Sequence, residues 1–245
     1  MPLSKISNQD LLEEYSVNHL SVSEIMRKYG YADHTAISTR LTKLGLPSKR
    51  HHQMNIEITQ RQRELLFGSL LGDATVRKNT RNCYFKFSHS SKQSFYVNWK
   101  HSELLPFSRH INTYTMKDGV EHSEFITSTL PQFNEFRGMF YSDLGVKFVP
   151  EDLSLLTPLA LSVWLMDDGG HIGDNRVSFA TCSFTELENE MLSDYLLYHY
   201  NLLNSLCWIG GHKYRVLVIS AKSIHNLREI VLPHLLDGFR YKVNC

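Results

Sequence analysis

Two aspartates, each followed by a lysine at the same distance, are the residues of this sequence best suited to act together. Asp73 closes the stretch "SLLGDA" and Asp168 closes "SVWLMDDGG"; Lys147 and Lys242 each lie 74 positions further on (147 − 73 and 242 − 168). Two carboxylates brought together repel, and one takes up a proton unless a cation lies between them. Oxygen-rich acidic sites suit Mg²⁺, which keeps its waters and binds phosphate oxygens. A site of this kind can activate water and stabilise the oxygen leaving a phosphodiester, while a lysine offsets charge at the phosphate. Asp167, beside Asp168, also stands at an apparent helix C-terminus, where backbone carbonyls already concentrate negative charge.

The elements that must position these residues repeat. Thr59 with Gln62 reads as a capping box, and apolar residues run from Leu65 to Leu71 before Asp73; Thr157 caps a second helix with Pro158 in its first turn, and apolar residues run from Leu159 to Met166. Aligning the acids gives an offset of 95 (168 − 73), which sets Leu66 with Leu161, Leu70 with Leu165 and Gly72 with Asp167. Downstream, "FNEFRGMFYSDL" and "IHNLREIVLPHL" share apolar spacing and an arginine, Arg137 or Arg228. Strand-like alternation appears in "CYFKFSHS" and in a hairpin turning at Asp118-Gly119, then in "RVSFATCS" and a hairpin turning at Gly210-Gly211. Helices are expected near 91–104, 131–143, 186–201 and 222–232. The fold class is therefore α+β: two pseudo-symmetric halves, about 59–150 and 151–245, each reading helix, strand, strand, helix, strand, strand, helix. Gly68, Ser69 and Gly72 would let the two acid-bearing helices approach closely.

Net charge is only +1, but its distribution is uneven. Between Thr75 and Lys117 stand eight basic residues, Arg77, Lys78, Arg81, Lys86, Lys92, Lys100, Arg109 and Lys117, against Glu103 alone; from Glu151 to Asp174 there are only acids. Such segregation is compatible with a solvated face and with a polyanion partner. Cys83, Cys182, Cys207 and Cys245 form no C-x-x-C pair, so no zinc ribbon or disulfide framework is indicated. No run approaches membrane-span length and no targeting segment is evident, so an intracellular protein is expected.

Residues 1–50 read as a separate all-α module, with 51–58 as a linker. Ser7 caps a first helix carrying Leu11, Leu12 and Tyr15; Ser21 and Glu24 form a capping box for a second that Gly30 ends; a third starts after Asp33 and closes at Gly45 and Pro47. This pattern suits a helix-turn-helix whose last helix enters a DNA major groove. His34, Thr35, Ser38 and Thr39 would face bases, with Arg40, Lys43, Lys49 and Arg50 on phosphates. A bland helical cap is the alternative.

"LLFGSLLGDA" and "LSVWLMDDGG" resemble the two nonapeptide motifs of LAGLIDADG homing endonucleases, in the single-chain branch that includes the omega-intron endonuclease. The resemblance covers about residues 59–245 and departs from the motif at Val163, which replaces a small residue. It implies that Asp73 and Asp168 hold catalytic divalent metal, Mg²⁺ with Mn²⁺ as a substitute, assisted by the carbonyls of Gly72 and Asp167. Lys147 and Lys242 fall at the family's basic active-site positions. The implied function is cutting both strands of double-stranded DNA at a long, rare site, so that the break copies a mobile element into an empty allele. Arg77, Lys78, Arg81, Lys86 and Lys117 in the first half, with Arg176, Lys213 and Arg215 in the second, are the candidate DNA contacts of the strands and their turns.

The implied state is a monomer, a pseudo-dimer within one chain, in the cytoplasm or nucleoid of a prokaryotic or phage-infected cell, or encoded in an organelle. Two other classes stay open: a maturase serving group I intron RNA, and a catalytically silent DNA-binding regulator.

Overall fold

The computed structural model describes residues 6–18, 20–46, 53–209 and 214–243. Lys49, Arg50, Lys213, Pro47 and the Gly210-Gly211 turn lie outside the described residues. The N-terminal unit starts with α1 (Asn8–Leu12), where the Ser7 hydroxyl accepts from the Asp10 amide at 3.0 Å, and runs on into a π-helical stretch, Glu13–Val17. Its next helix, α2 (Val22–Tyr29), grows from the Ser21–Glu24 capping box and stops at left-handed Gly30. The third, α3 (His34–Lys43), starts at Asp33, whose carboxylate accepts from the Thr35 amide. Leu11, Tyr15, Ile25, Ile37 and Leu41 form a small core of their own.

So few buried side chains stabilise a unit weakly, and two polar clamps add to them. Buried Glu14 accepts from the Lys28 ammonium and from the Tyr29 hydroxyl at 2.9 Å. Arg40 reaches back to Asn8 Oδ1 at 3.1 Å and to the Tyr31 hydroxyl at 3.3 Å. Arg40 therefore links α3 to the start of α1 and to the segment after α2.

The first half of the large domain consists of α4 (Gln60–Leu71), β1 (Thr75–Asn79), β2 (Asn82–Ser90), α5 (Ser94–Glu103), β3 (Asn112–Thr115), β4 (Glu121–Ile126) and α6 (Asn134–Phe140). The second repeats it as α7 (Pro158–Asp168), β5 (Gly169–His171), β6 (Val177–Phe179), α8 (Glu186–Tyr200), β7 (Asn204–Ile209), β8 (Tyr214–Ile219) and α9 (Ile224–Val231), followed by a 3₁₀ segment, Asp237–Val243. Each half holds a four-stranded antiparallel sheet, ordered β1-β2-β4-β3 and β5-β6-β8-β7. The helix between the two hairpins of each half brings the last strand beside the second rather than the edge. Strand β2 alternates strictly, with Cys83, Phe85, Phe87 and His89 turned to the helices and Asn82, Tyr84, Lys86 and Ser88 to the other face.

Helices α4 and α7 are apolar on every side, because each is enclosed by its partner and by both sheets: Leu65–Leu71 and Leu159–Met166 are buried without interruption. The two pack side by side through Gly68, where an added Cβ would stand 2.2 Å from the Ala160 carbonyl oxygen, and through Gly72, where it would stand 2.4 Å from Asp167 Cβ. Val163, the departure from the repeated small-residue pattern, is fully buried, and its carbonyl accepts from the Tyr96 hydroxyl at 3.3 Å. The expected linker is also part of the domain in its described portion. Gln53 is buried and donates to the Pro106 carbonyl at 2.6 Å, Gln132 donates to the Gln53 and Ile56 carbonyls, and Ile56 and Ile58 pack on the core.

Gly68→Ala should lower unfolding free energy by about 2 kcal/mol or more in denaturant titration, since backbone at the helix crossing must move apart. Gly138→Ala, in α6 with open space around it, should be neutral or stabilising by at most about 1 kcal/mol. Equal effects at both positions would show that the crossing does not depend on close approach.

Candidate active site and nucleic-acid surface

The C-terminal ends of α4 and α7 meet, and the groups that surround them answer the electrostatic problem of acids placed there. Lys242, buried in the 3₁₀ segment, points its ammonium at the open end of α7 and donates to the carbonyls of Met166 (2.6 Å), Leu165 (3.1 Å) and Asp167 (3.3 Å). Lys147 does the same for the other helix, donating to the Gly72 carbonyl at 2.9 Å. A cation on terminal carbonyls offsets the negative end of a helix. The two carbonyls assigned to metal by resemblance thus already accept from lysines, with a second lone pair on each oxygen left over.

Packing fixes the lysines. The Phe95 ring lies against Gly238, where a Cβ would come 2.4 Å from Cζ, and at 5.4 Å from the Phe239 ring, which docks the Lys242 segment on α5. Lys147 bridges to Tyr141, over whose ring Arg137 stacks at 4.3 Å while donating to the Val76 carbonyl at 3.1 Å. Burial lowers the pKa of both lysines against the upward pull of the three aspartates.

Asp73 lies past the end of α4 and Asp168 is the last residue of α7; among the described residues no lysine or arginine forms an ion pair with either carboxylate, and the His89 ring stands beside Asp73. Burial first, then Asp73 and Asp167, push the Asp168 carboxyl up to about 7. Burial first, then Asp167, raise Asp73 as well. A carboxyl pair that resists ionising is the donor set expected to hold a divalent cation, so the acids fit Mg²⁺.

Asp167 behaves differently from its neighbour. Its carboxylate is wholly buried and accepts from the Lys100 ammonium at 2.8 and 3.0 Å, with the Asp73 amide 3.4 Å away. Lys100 in turn lies over the rings of Tyr96 (4.3 Å) and Phe87 (5.6 Å). Lys100 was expected to contribute to an exposed basic run; it is instead a buried ion pair crossing between the halves. His89, 5% exposed, sits between acids: Nδ1 is 3.5 Å from Asp73 Oδ2 and Nε2 is 3.8 Å from Asp167 Oδ1. Burial, then Lys100, lower its pKa to about 4, so the imidazole is neutral at neutral pH. His89 was not singled out from the sequence, and Lys100 only as one member of a basic run. Parity with Cys83, Phe85 and Phe87 marks His89 as inward, and spacing of three and four from Val97 and Tyr96 puts Lys100 on the buried face of α5.

The sheet faces away from the helices are the candidate surfaces for a long polyanion. In the first half Arg77 pairs with Tyr84 and Thr75 with Lys86 on that outer face, and Lys86 forms an ion pair with Glu124 of β4 at 2.8 Å. Lys78 is exposed but pairs with Cys83, on the opposite parity; Arg81 and Lys117 lie in the hairpin turns. Arg176 stands in the β5–β6 turn beside Asp174 at 3.4 Å. Arg215 departs from expectation: its register partner is Trp208 and it shares parity with Leu217, so it faces the helices, paired with Glu186 at 2.7 Å and stacked on Trp208 at 4.6 Å. In the N-terminal unit His34, Thr35, Ser38, Thr39 and Lys43 are all exposed along α3. A polar cleft of about 970 Å³, lined in part by Arg27, Arg109 and His110, separates that unit from the first half.

Two α+β halves joined through central helices that end in acids define a class of protein, and the comparisons give it its family. Residues 63–227 match the LAGLIDADG DNA endonuclease family, and the chain belongs to it. Among relatives, Protein RecA of Mycobacterium shimoidei is 30% identical over 203 residues, covering 76% of this chain and 47% of that protein. The chain thus spans about half the length of the RecA relatives it matches. DNA endonuclease I-ChuI of Chlamydomonas applanata is 30% identical over 213 residues, 77% of this chain and 97% of that one. Cytochrome b mRNA maturase bI2 of Debaryomyces hansenii is 28% identical over 197 residues, 74% of this chain and 72% of its own length. The homing endonuclease I-WcaI bound to its DNA recognition sequence shares the fold, with a TM-score of 0.72 at 22% identity, over 82% of this chain and 96% of that one.

Replacing Lys100 by Met leaves Asp167 buried without its cation and should cost about 3–5 kcal/mol, read by denaturant unfolding. The double variant Lys100→Met/Asp167→Leu should recover much of that loss. A raised carboxyl pKa means that folded Asp168 binds a proton that the unfolded chain has lost, so its contribution makes metal-free protein less stable as pH rises from about 4 to about 7. His89, with its lowered pKa, acts in the opposite sense as pH falls through 6.5 toward about 4. The difference in melting temperature between Asp168→Asn and the parent isolates the aspartate, and it should grow in favour of the variant from pH 5 to pH 8.

Proposed function

We propose that this protein is a site-specific endonuclease that cuts both strands of double-stranded DNA with Mg²⁺, Mn²⁺ serving as a substitute. The observation that carries this is the meeting of Asp73 and Asp168 at the joined helix ends, two carboxyls whose pKa burial and neighbouring aspartates raise, flanked by Lys147 and Lys242. A bound Mg²⁺ supplies positive charge at a scissile phosphate and acidifies water beside it. Asp73 and Asp168 hold that charge in place, one for each strand. Lys147 and Lys242 fix the carbonyl ends of the two helices and so the position of both acids, and their charge favours an incoming phosphate. The pseudo-twofold arrangement supplies two such sets, as the two strands of a duplex require.

The outer sheet faces, with Arg77 and Lys86 and the turns carrying Arg81, Lys117 and Arg176, would lie along the major groove, where a β-ribbon fits. The exposed row His34, Thr35, Ser38, Thr39 and Lys43 suits a helix-turn-helix contact beside the first half, within a module spanning residues 1–50, and the Arg109–His110 cleft leaves room for backbone between them. The chain would act as a monomer, in the compartment of the genome that carries its target, whether prokaryotic or organellar. The maturase relative favours a second reading, in which the basic faces bind group I intron RNA.

With Mg²⁺, the full chain should linearise a plasmid carrying its site, and Asp73→Asn or Asp168→Asn should abolish cutting while leaving DNA binding intact. Double-strand cutting by both variants would remove the acids from the mechanism; splicing of intron RNA without DNA cleavage would favour the maturase. Removing residues 1–50 should shorten the footprint on DNA, and affinity should fall steeply between 50 and 200 mM salt, by about 10³-fold for some six phosphate contacts.

A further inference from the structure

The two acid sites are not equivalent, and the difference lies in His89. Counting from Lys86, partner of Thr75, and from Ser178, partner of Gly170, the place of His89 falls in number to Thr181, two residues past the end of β6 at Phe179. A hydroxyl is a poor metal ligand where an imidazole is a strong one. His89 is 5% exposed, and its Nε2 has no hydrogen-bond partner in the described structure. A buried ring nitrogen in that state is costly unless something engages it.

Its surroundings define what that would be. Nδ1 stands 3.5 Å from Asp73 Oδ2, and two donors bonded at about 2.1 Å to a tetrahedral ion stand about 3.4 Å apart. On the far side, Nε2 faces Asp167 Oδ1 at 3.8 Å, just beyond hydrogen-bond length, and the two Lys100 bonds lock that carboxylate. A histidine that binds metal through one nitrogen and turns the other N–H to an anchored carboxylate is the recurrent outer-shell arrangement of metal sites. Charge is compatible: Lys100 cancels Asp167, the imidazole is neutral, and Asp73 and Asp168 remain to balance a dication.

The geometry points to a mixed nitrogen–oxygen site for a divalent transition metal in the first half, with His89 Nδ1 and Asp73 as ligands and Asp167, held by Lys100, orienting the imidazole. In the second half no histidine is grouped with Asp168 among the described residues, which leaves an oxygen-only site for a hard cation such as Mg²⁺. The assignment rests on the proposed role of Asp73 as a metal-holding acid, and not on cleavage. One chain would therefore carry two acid sites of different metal preference.

The test is titration of the metal-free full chain with Co²⁺ and, separately, Mg²⁺, following cobalt absorption and calorimetric affinity in the parent and in His89→Gln. The expected result is that His89→Gln weakens Co²⁺ binding tenfold or more and changes the cobalt spectrum, while Mg²⁺ affinity stays within twofold. An unchanged Co²⁺ affinity and spectrum in a folded His89→Gln protein would overturn the proposal. Should that variant not fold, anomalous diffraction from parent crystals soaked in Co²⁺ decides the matter: an ion bonded to His89 supports it, and cobalt only at other positions overturns it. A parent that shows histidine-bound cobalt but cuts no DNA with Mg²⁺ refutes the nuclease reading alone; active enzyme with a histidine-independent cobalt signal refutes this inference alone.

Discussion

Everything in the large domain follows from bringing two helix C-termini, and the acids on them, to one point. The negative ends of α4 and α7 repel each other and repel Asp73, Asp167 and Asp168. The fold answers with three lysines, Lys100 and Lys242 buried and Lys147 half-buried. Lys242 and Lys147 satisfy terminal carbonyls, and Lys100 neutralises Asp167. What is left without an ion pair to lysine or arginine among the described residues is Asp73 and Asp168, whose carboxyls burial and neighbouring aspartates hold above the usual range.

Close approach is what makes this concentration of charge unavoidable. Gly68 and Gly72 remove the side chains that would otherwise separate the helices, so the axis of the molecule is backbone against backbone. The aromatic packing of Phe95 and Phe239 and the stacking of Arg137 on Tyr141 then hold the distal lysines in reach. Helix packing, helix capping and metal-competent acidity are aspects of one contact.

The symmetry holds in strand order and loosens in strand length and in chemistry. Both halves share strand order and element sequence. Yet Asp167 replaces Gly72, and His89 and Lys100 gather on one side only. The outer faces differ too: Arg77 and Lys86 face outward in the first sheet, whereas Arg215 in the second is drawn beneath its sheet by Glu186 and Trp208. A duplex site read by such a molecule need not be palindromic.

The sequence by itself determined the elements and the two acids. Capping boxes at Ser21 and Thr59, the Thr157 cap and the alternation in β2 all act within one helix, strand or turn, where local sterics and hydrogen bonding decide the outcome, and the repeated 74-residue spacing marks the two halves as copies of one pattern. Only tertiary structure decided which charges are buried and whom they meet. Lys100 reaches Asp167 across 67 positions, and Arg40 and Arg215 turn inward to partners that local pattern does not reveal. A lysine in a basic run looks the same in sequence whether it meets water, phosphate or a buried carboxylate. Its fate depends on desolvation and on a partner supplied by another element, and those terms exist only once the halves have packed.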